Sequence, residues 1–185
     1  IAIIILAIPM LIIAIAIKVD DPGPVFFKQK RVGKKKDGQI TYFMIWKFRS
    51  MKMSTPHDTP THLLENPEQY ITRVGRFIRK TSLDELPQIY QVFTSKLSAI
   101  GPRPALWSQE DLVAEREKYG ANDIKPGITG WAQINGRDEL EIDVKARLDG
   151  EYVEKMSFWF DVKLFFGSIF YVLKRDGVVE GGTGT

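Results

Sequence analysis

The stretch IAIIILAIPMLIIAIAI (1–17) decides the architecture. It carries no charged side chain, and sixteen of its seventeen residues are apolar, Pro9 being the exception. As a helix it would rise about 25 Å, against roughly 30 Å for the hydrocarbon core of a bilayer. Pro9 removes one helical hydrogen bond and crowds the preceding turn, which predicts a kink or break there. Composition and length support two readings equally: a helix that spans the bilayer, or a broken segment that re-enters or lies at the interface. A cleaved signal peptide fits less well, because KVDDPGP follows with no small-residue cleavage site. A buried soluble helix would need polar positions on its outer face, and this segment has none. The chain opens on Ile rather than Met. The expectation is therefore a membrane-inserted unit at 1–17, truncated at its start, followed by a catalytic-sized unit at 18–185.

All 26 basic and 23 acidic side chains lie in that second part. The mean hydropathy of −0.15 thus averages two unlike regions. The polar part is long enough to bury a core without staples. The absence of cysteine excludes a disulfide scaffold, a thiolate zinc site and a cysteine nucleophile. Only His57 and His62 are available for a histidine metal cluster, and both fall in a proline-rich loop over 53–68. Residues 18–52 hold ten Lys/Arg against three Asp, a net of +7, while the remainder sums to −4. A basic run directly after an apolar segment attracts anionic lipid and favours the cytoplasmic side of the membrane. A solvated basic face is the plainer alternative.

Within this run, PVFFKQKRVG and ITYFMIWKFRSM are rich in β-branched and aromatic residues and flank KKKDGQ, which predicts a hairpin turning at Asp37-Gly38. DDPGP before it predicts a loop that ends the apolar helix. Ile71, Val74 and Ile78 are spaced for an amphipathic helix over 69–80. TSLDELPQIYQVF (81–93) restarts a helix, with Leu86, Ile89, Tyr90 and Phe93 as its apolar stripe. Residues 108–119 read as a charged helix, 123–139 as a long turn-rich stretch, and 139–155 as partly helical. FWFDVKLFFGSIFYVL (158–173) carries seven aromatics and two charges. Core packing, docking at a membrane interface and a subunit contact in a homo-oligomer are all open to such a stripe. The fold class expected is α+β and mostly helical: a re-entrant membrane helix, a small β-hairpin and several short amphipathic helices packed at the membrane interface.

Three loops join Gly/Pro rigidity to arginine: Arg79–Glu85, Gly101–Pro104 and Gly130–Arg137. A rigid loop presenting a guanidinium suits phosphate, because arginine offers a planar fork of donors to paired oxygens. Ser82-x-x-Glu85 and Thr81-x-x-Asp84 both match a capping box, so these carboxylates have a purely structural reading as helix caps. Pro87 fits a first helical turn. The functional reading uses the same place. A carboxylate beside free backbone N–H groups is held ionised, and it can bind Mg²⁺ or attack phosphorus. Neighbouring helical residues point about 100° apart, so Asp84 and Glu85 would hold different roles rather than share a proton.

KTSLDELPQ (80–88), GPRP (101–104) and KPGITGWAQINGR (125–137) resemble the bacterial sugar transferases, the monotopic phosphoglycosyl transferases. DDPGPVFFKQKRVG (20–33) and WKFRSM (46–51) match the same family in the same order, so the resemblance covers nearly the whole chain. It implies an enzyme on the cytoplasmic face of the bacterial inner membrane. Such an enzyme moves a sugar-1-phosphate from a UDP-sugar to undecaprenyl phosphate and releases UMP, at the first membrane step of capsule, exopolysaccharide, O-antigen or glycoprotein glycan assembly. The resemblance makes Asp84 the nucleophile and a ligand of Mg²⁺, with Glu85 beside it, and makes the apolar helix re-entrant near Pro9. By resemblance and charge, Lys47, Arg79, Arg103 and Arg137 are the expected phosphate ligands. Asp149 falls near a family acidic position, although LDGEYVEK departs from the usual aromatic-rich run there. Two other readings compete: direct transfer with Asp84 only holding the metal, and a basic membrane-bound scaffold. No nucleic-acid motif is present.

Overall fold

The computed structural model describes residues 2–55, 66–136 and 140–174. It is an α+β fold, with helices outweighing strands. Helix α1 runs Ala2–Asp20 with Pro9 inside it. The expected break at Pro9 is not there: the helix continues as one element and ends three residues beyond Ile17. A proline deletes a single i→i−4 bond, and the bonds of the other turns remain. Among the described residues, no helix is long and apolar enough to cross a membrane.

The hairpin forms as expected. Strands β1 (Phe26–Val32) and β2 (Tyr42–Phe48) pair antiparallel, with Phe26 opposite Phe48 and Val32 opposite Tyr42. Asp37 and Gly38 both have positive φ, 50° and 75°. The backbones of Lys36 and Gln39 exchange hydrogen bonds across them at 2.9 and 2.8 Å. That geometry is what a two-residue hairpin turn requires, and Asp-Gly tolerates it.

Helix α2 begins later than the apolar spacing suggests, at Arg73 (Arg73–Lys80). Pro67–Tyr70 forms a separate 3₁₀ turn, and Ile71 bridges to Met51 as an extended residue. Thr72 sets the boundary, its Oγ1 accepting from the Gly75 N–H at 2.8 Å. The acidic end of α1 also participates: Asp20 Oδ2 accepts from the Val74 N–H at 2.8 Å, and Asp21 pairs with Arg49. DDPGP therefore joins α1 to α2 and to the end of β2, besides terminating a helix.

The two capping boxes are not used. Ser82 caps the short 3₁₀ turn Leu83–Glu85 from a left-handed conformation with no side-chain hydrogen bond, and α3 (Gln88–Phe93) starts after Pro87. Nor does the apolar stripe of α3 face inward. Gln88 and Gln91 are buried, whereas Tyr90 and Phe93 stand exposed, Phe93 at 77%. Gln91 meets the open edge of β2: its Nε2 donates to the Met44 carbonyl at 2.7 Å and its Oε1 accepts from the Trp46 N–H at 2.9 Å. A side-chain amide thus replaces a third strand, which outweighs the burial that the stripe would have gained.

The remaining chain builds a second centre. Helix α4 spans Glu110–Glu117, α6 Ile142–Lys155 and α7 Phe158–Lys174. Two short strands, β3 (Ser98–Ile100) and β4 (Gly127–Thr129), pair in parallel, and α5 (Trp131–Ile134) follows, so the stretch read as turns holds a strand and a helix. Three apolar clusters result. Ile13 and Ile17 of α1 pack with Phe48 and Ile78. Val32 joins Ala105, Leu112 and Ala146, and Ile100 joins Tyr152 and Leu164. The aromatic helix α7 is divided between two roles. Leu164 is fully buried, while Phe158, Trp159, Phe166 and Phe170 point outward.

Candidate active site

Lys47 comes from β2, whose outer edge Gln91 holds, and Asp84 and Glu85 come from the 3₁₀ turn after α2. Arg103 comes from the loop between β3 and α4. These four expected residues meet. Glu85 Oε1 lies 3.0 Å from Lys47 Nζ and accepts from Arg103 Nη2 at 2.9 Å. Asp84 Oδ2 stands 4.0 Å from the same ammonium, outside hydrogen-bond range. Asp84 is only 4% exposed. A carboxylate so buried requires nearby positive charge, and here two cations answer two acids.

The two carboxylates therefore differ, as expected from adjacent residues. Glu85 anchors the cations, with Lys47 and Arg103 converging on one of its oxygens. Asp84 sits beside that arrangement, within reach of the Lys47 charge. Arg79 lies on the neighbouring side of α2, where its Nε donates to Ser50 Oγ at 2.9 Å. Ser50 is three residues beyond Lys47, so β2 and its continuation carry both contacts. Arg137, His57 and His62 lie outside the described residues. Pro9 belongs to α1, whose Ile13 and Ile17 pack against Phe48, the neighbour of Lys47 in β2.

Asp149 does not join the carboxylate pair. It is buried on α6 and pairs with Arg116 of α4, whose Nε and Nη2 reach Asp149 Oδ2 at 2.8 and 2.6 Å. Burial pushes the Asp149 carboxyl above the ordinary carboxylate range, and the charge of Arg116 opposes that shift. Sequence reading did not single out Arg116, Ser50 or Gln91. Each lies in a stretch whose periodicity reports only a helix or a strand, and their partners are more than 25 residues away in sequence.

The site has the donors that a magnesium ion takes from protein. Asp84 and Glu85 are hard oxygen ligands, and Mg²⁺ commonly uses one or two carboxylates while water and substrate phosphates complete its shell. Among the described residues no group of three or more His, Asp or Glu gathers, at this site or elsewhere.

The family model for bacterial sugar transferases matches residues 1–175, and the chain belongs to that family. It is 42% identical over 171 residues to the UDP-glucose:undecaprenyl-phosphate glucose-1-phosphate transferase of Escherichia coli (strain K12), covering 85% of this chain and 34% of that protein. It is 41% identical over 158 residues to the uncharacterized sugar transferase EpsL of Bacillus subtilis (strain 168), covering 85% of this chain and 74% of EpsL. The undecaprenyl-phosphate galactose phosphotransferase of Salmonella typhimurium is 35% identical over 191 residues, covering 96% of this chain and 39% of that enzyme. The chain thus spans little more than a third of the E. coli and Salmonella proteins and about three quarters of EpsL.

Proposed function

We propose that this chain transfers a sugar-1-phosphate from a UDP-sugar to undecaprenyl phosphate and releases UMP. The observation that carries the reading is the buried Asp84 with the half-buried Glu85 beside it, matched to Lys47 and Arg103. An oxygen of Asp84 attacks the β-phosphorus. The bond from that phosphorus to the bridging oxygen breaks, UMP leaves, and an aspartyl-phosphosugar remains. An oxygen of the lipid phosphate then attacks the same phosphorus and frees Asp84. Splitting the exchange lets two large anions use one site in turn. Lys47 and Arg103, held on Glu85, offset the charge of the incoming phosphates, and Arg79 and Arg137 extend that positive lining. Asp84, with Glu85 beside it, would hold Mg²⁺, which supplies charge neutralisation and orientation when bound.

Addition of UDP-sugars, one at a time, to the full chain in lipid nanodiscs is expected to release UMP beyond one per enzyme only when undecaprenyl phosphate is present. The panel names the sugar. EDTA is expected to stop the release and Mg²⁺ to restore it. Absence of UMP with every donor would overturn the reading, and rates untouched by EDTA would remove the metal from it.

Family membership and the exposed apolar faces also support a membrane placement. In this reading α1 lies within the cytoplasmic leaflet of the bacterial inner membrane without crossing it, so that both its ends stay on the cytoplasmic side. Its exposed Ile8, Leu11, Ile12 and Ile15 meet lipid, while Phe77, Phe93 and the outward aromatics of α7 lie at the interface. Single cysteines placed before Ile1 and after Ile17 are expected to react with an impermeant reagent from the same, cytoplasmic side. Labelling from opposite sides would mean a spanning helix instead.

A further inference from the structure

The loop Gly101-Pro102-Arg103-Pro104 delivers Arg103 to Glu85, yet two of its four residues have no N–H to anchor it. Gly101 donates its N–H to the Thr129 carbonyl at 2.8 Å, and the rest is held by carbonyls. The Pro102 carbonyl accepts from the Gly127 N–H at 2.9 Å, and the Ala105 carbonyl from the Val32 N–H at 2.9 Å. Between them, the Pro104 carbonyl accepts from Arg31 Nη1 at 3.0 Å and the Arg103 carbonyl from Arg116 Nη2 at 3.0 Å. Four consecutive carbonyls are thus tied to three different segments, β4, α4 and β1. The one belonging to Arg103 itself is tied to a guanidinium that Asp149 clamps.

The clamp is buried on both sides, with Arg116 4% and Asp149 1% exposed. Burying such a pair costs desolvation that well-packed apolar residues of similar size would avoid. Its closeness is built in by Gly150: a Cβ there would stand 2.5 Å from Tyr119 Cβ, so only glycine lets α6 approach the end of α4. Neither Arg116 nor Asp149 contacts Lys47, Asp84 or Glu85 in these hydrogen bonds and ion pairs. What the pair touches is the backbone of the one loop residue that does.

From these contacts we infer that Arg116 and Asp149 are positioning residues for the transfer reaction: Asp149 orients the Arg116 guanidinium, which fixes the Arg103 backbone and so the direction in which Arg103 reaches Glu85 and the substrate phosphates. The inference rests on the transferase reading only for its kinetic consequence. Its mechanical half concerns the loop alone.

The test uses the full chain in lipid nanodiscs and a double-mutant cycle. Arg116→Lys retains the charge toward Asp149 but loses the fork that also reaches the Arg103 carbonyl. It is expected to lower kcat for UMP release roughly tenfold, since small displacements of a positioned group cost one to two orders of magnitude. In an Arg103→Ala background the same change is expected to cost nothing further. In parallel, amide exchange is expected to rise in the segments that hold the loop, 101–106 and 127–129, while α7 keeps its protection. Asp149→Asn, which preserves shape, is expected to give the same pattern. An equal kcat loss in both backgrounds, or one that merely tracks the folded fraction, would overturn the inference. So would unchanged exchange in the loop. A wild-type chain that releases no UMP would overturn the transferase reading instead, and the exchange measurement would still decide whether Arg116 holds the loop.

Discussion

Asp84→Asn is expected to reduce sugar-phosphate transfer by at least about a thousandfold, the scale seen when a covalent nucleophile is removed. Asn keeps the shape of the side chain but not the charge or the nucleophilic oxygen. Asp84 Oδ2 lies 4.0 Å from Lys47 Nζ, beyond a hydrogen bond, whereas Glu85 holds Lys47 and Arg103 directly. The substitution should therefore leave the contacts of Glu85 with Lys47 and Arg103 in place. With a UDP-sugar labelled in the sugar, the wild-type protein should retain label when undecaprenyl phosphate is withheld, and Asp84→Asn should not. Near-native turnover by the variant would refute Asp84 as nucleophile. Unlabelled wild-type protein with sequential rather than ping-pong kinetics would favour direct transfer between the two substrates.

The second large effect is on stability. Gly75 lies in α2, where the usual expectation is that Gly→Ala stabilises by about 1 kcal/mol through helix propensity. Here the sign should reverse. A Cβ at Gly75 would stand 1.9 Å from the Ser50 carbonyl oxygen and 2.7 Å from its carbon, both backbone atoms. The helix must move off the chain that follows β2, breaking the Thr72–Ser50 contact and the Arg79–Ser50 hydrogen bond. A loss of about 3 kcal/mol is expected, at the upper end for overpacking. Gly167→Ala in α7 is the control, because its Cβ would meet only Ile134 Cδ1 at an ordinary 3.6 Å. Thermal unfolding should separate the two clearly. A Gly75→Ala protein as stable as the wild type would mean that α2 does not sit against Ser50 as described.

Some of this was legible without coordinates. Asp37-Gly38 between two β-rich runs specifies a two-residue turn because few residues tolerate positive φ at both positions. The motifs around Asp84, Glu85 and Arg103 supplied the chemistry of the site, and the family match over residues 1–175 agrees with the resemblance they carry. Pro9, the capping boxes and the stripe of α3 were read by local rules, and there the structure departs from the expectation. For the stripe of α3 the cause is a distant partner that outweighed a local preference. Gln91 satisfies the open edge of β2, so α3 turns its glutamines inward and its aromatics outward. Asp20 caps a helix more than fifty residues away, so the end of α1 is settled by α2.

The sequence by itself determined that an uncharged helix precedes a basic hairpin, and which acids and bases the chemistry can use, because composition and short motifs act at the range of one or two turns. Only the tertiary structure decided which of them meet. Lys47 and Glu85 are 3.0 Å apart, and Arg116 reaches the Arg103 carbonyl at 3.0 Å, across separate elements whose packing brings the charges out of water together. Electrostatics in a buried site depends on distance and burial rather than on order along the chain. The difference in contacts between Asp84 and Glu85 was therefore decided by what folds against each of them.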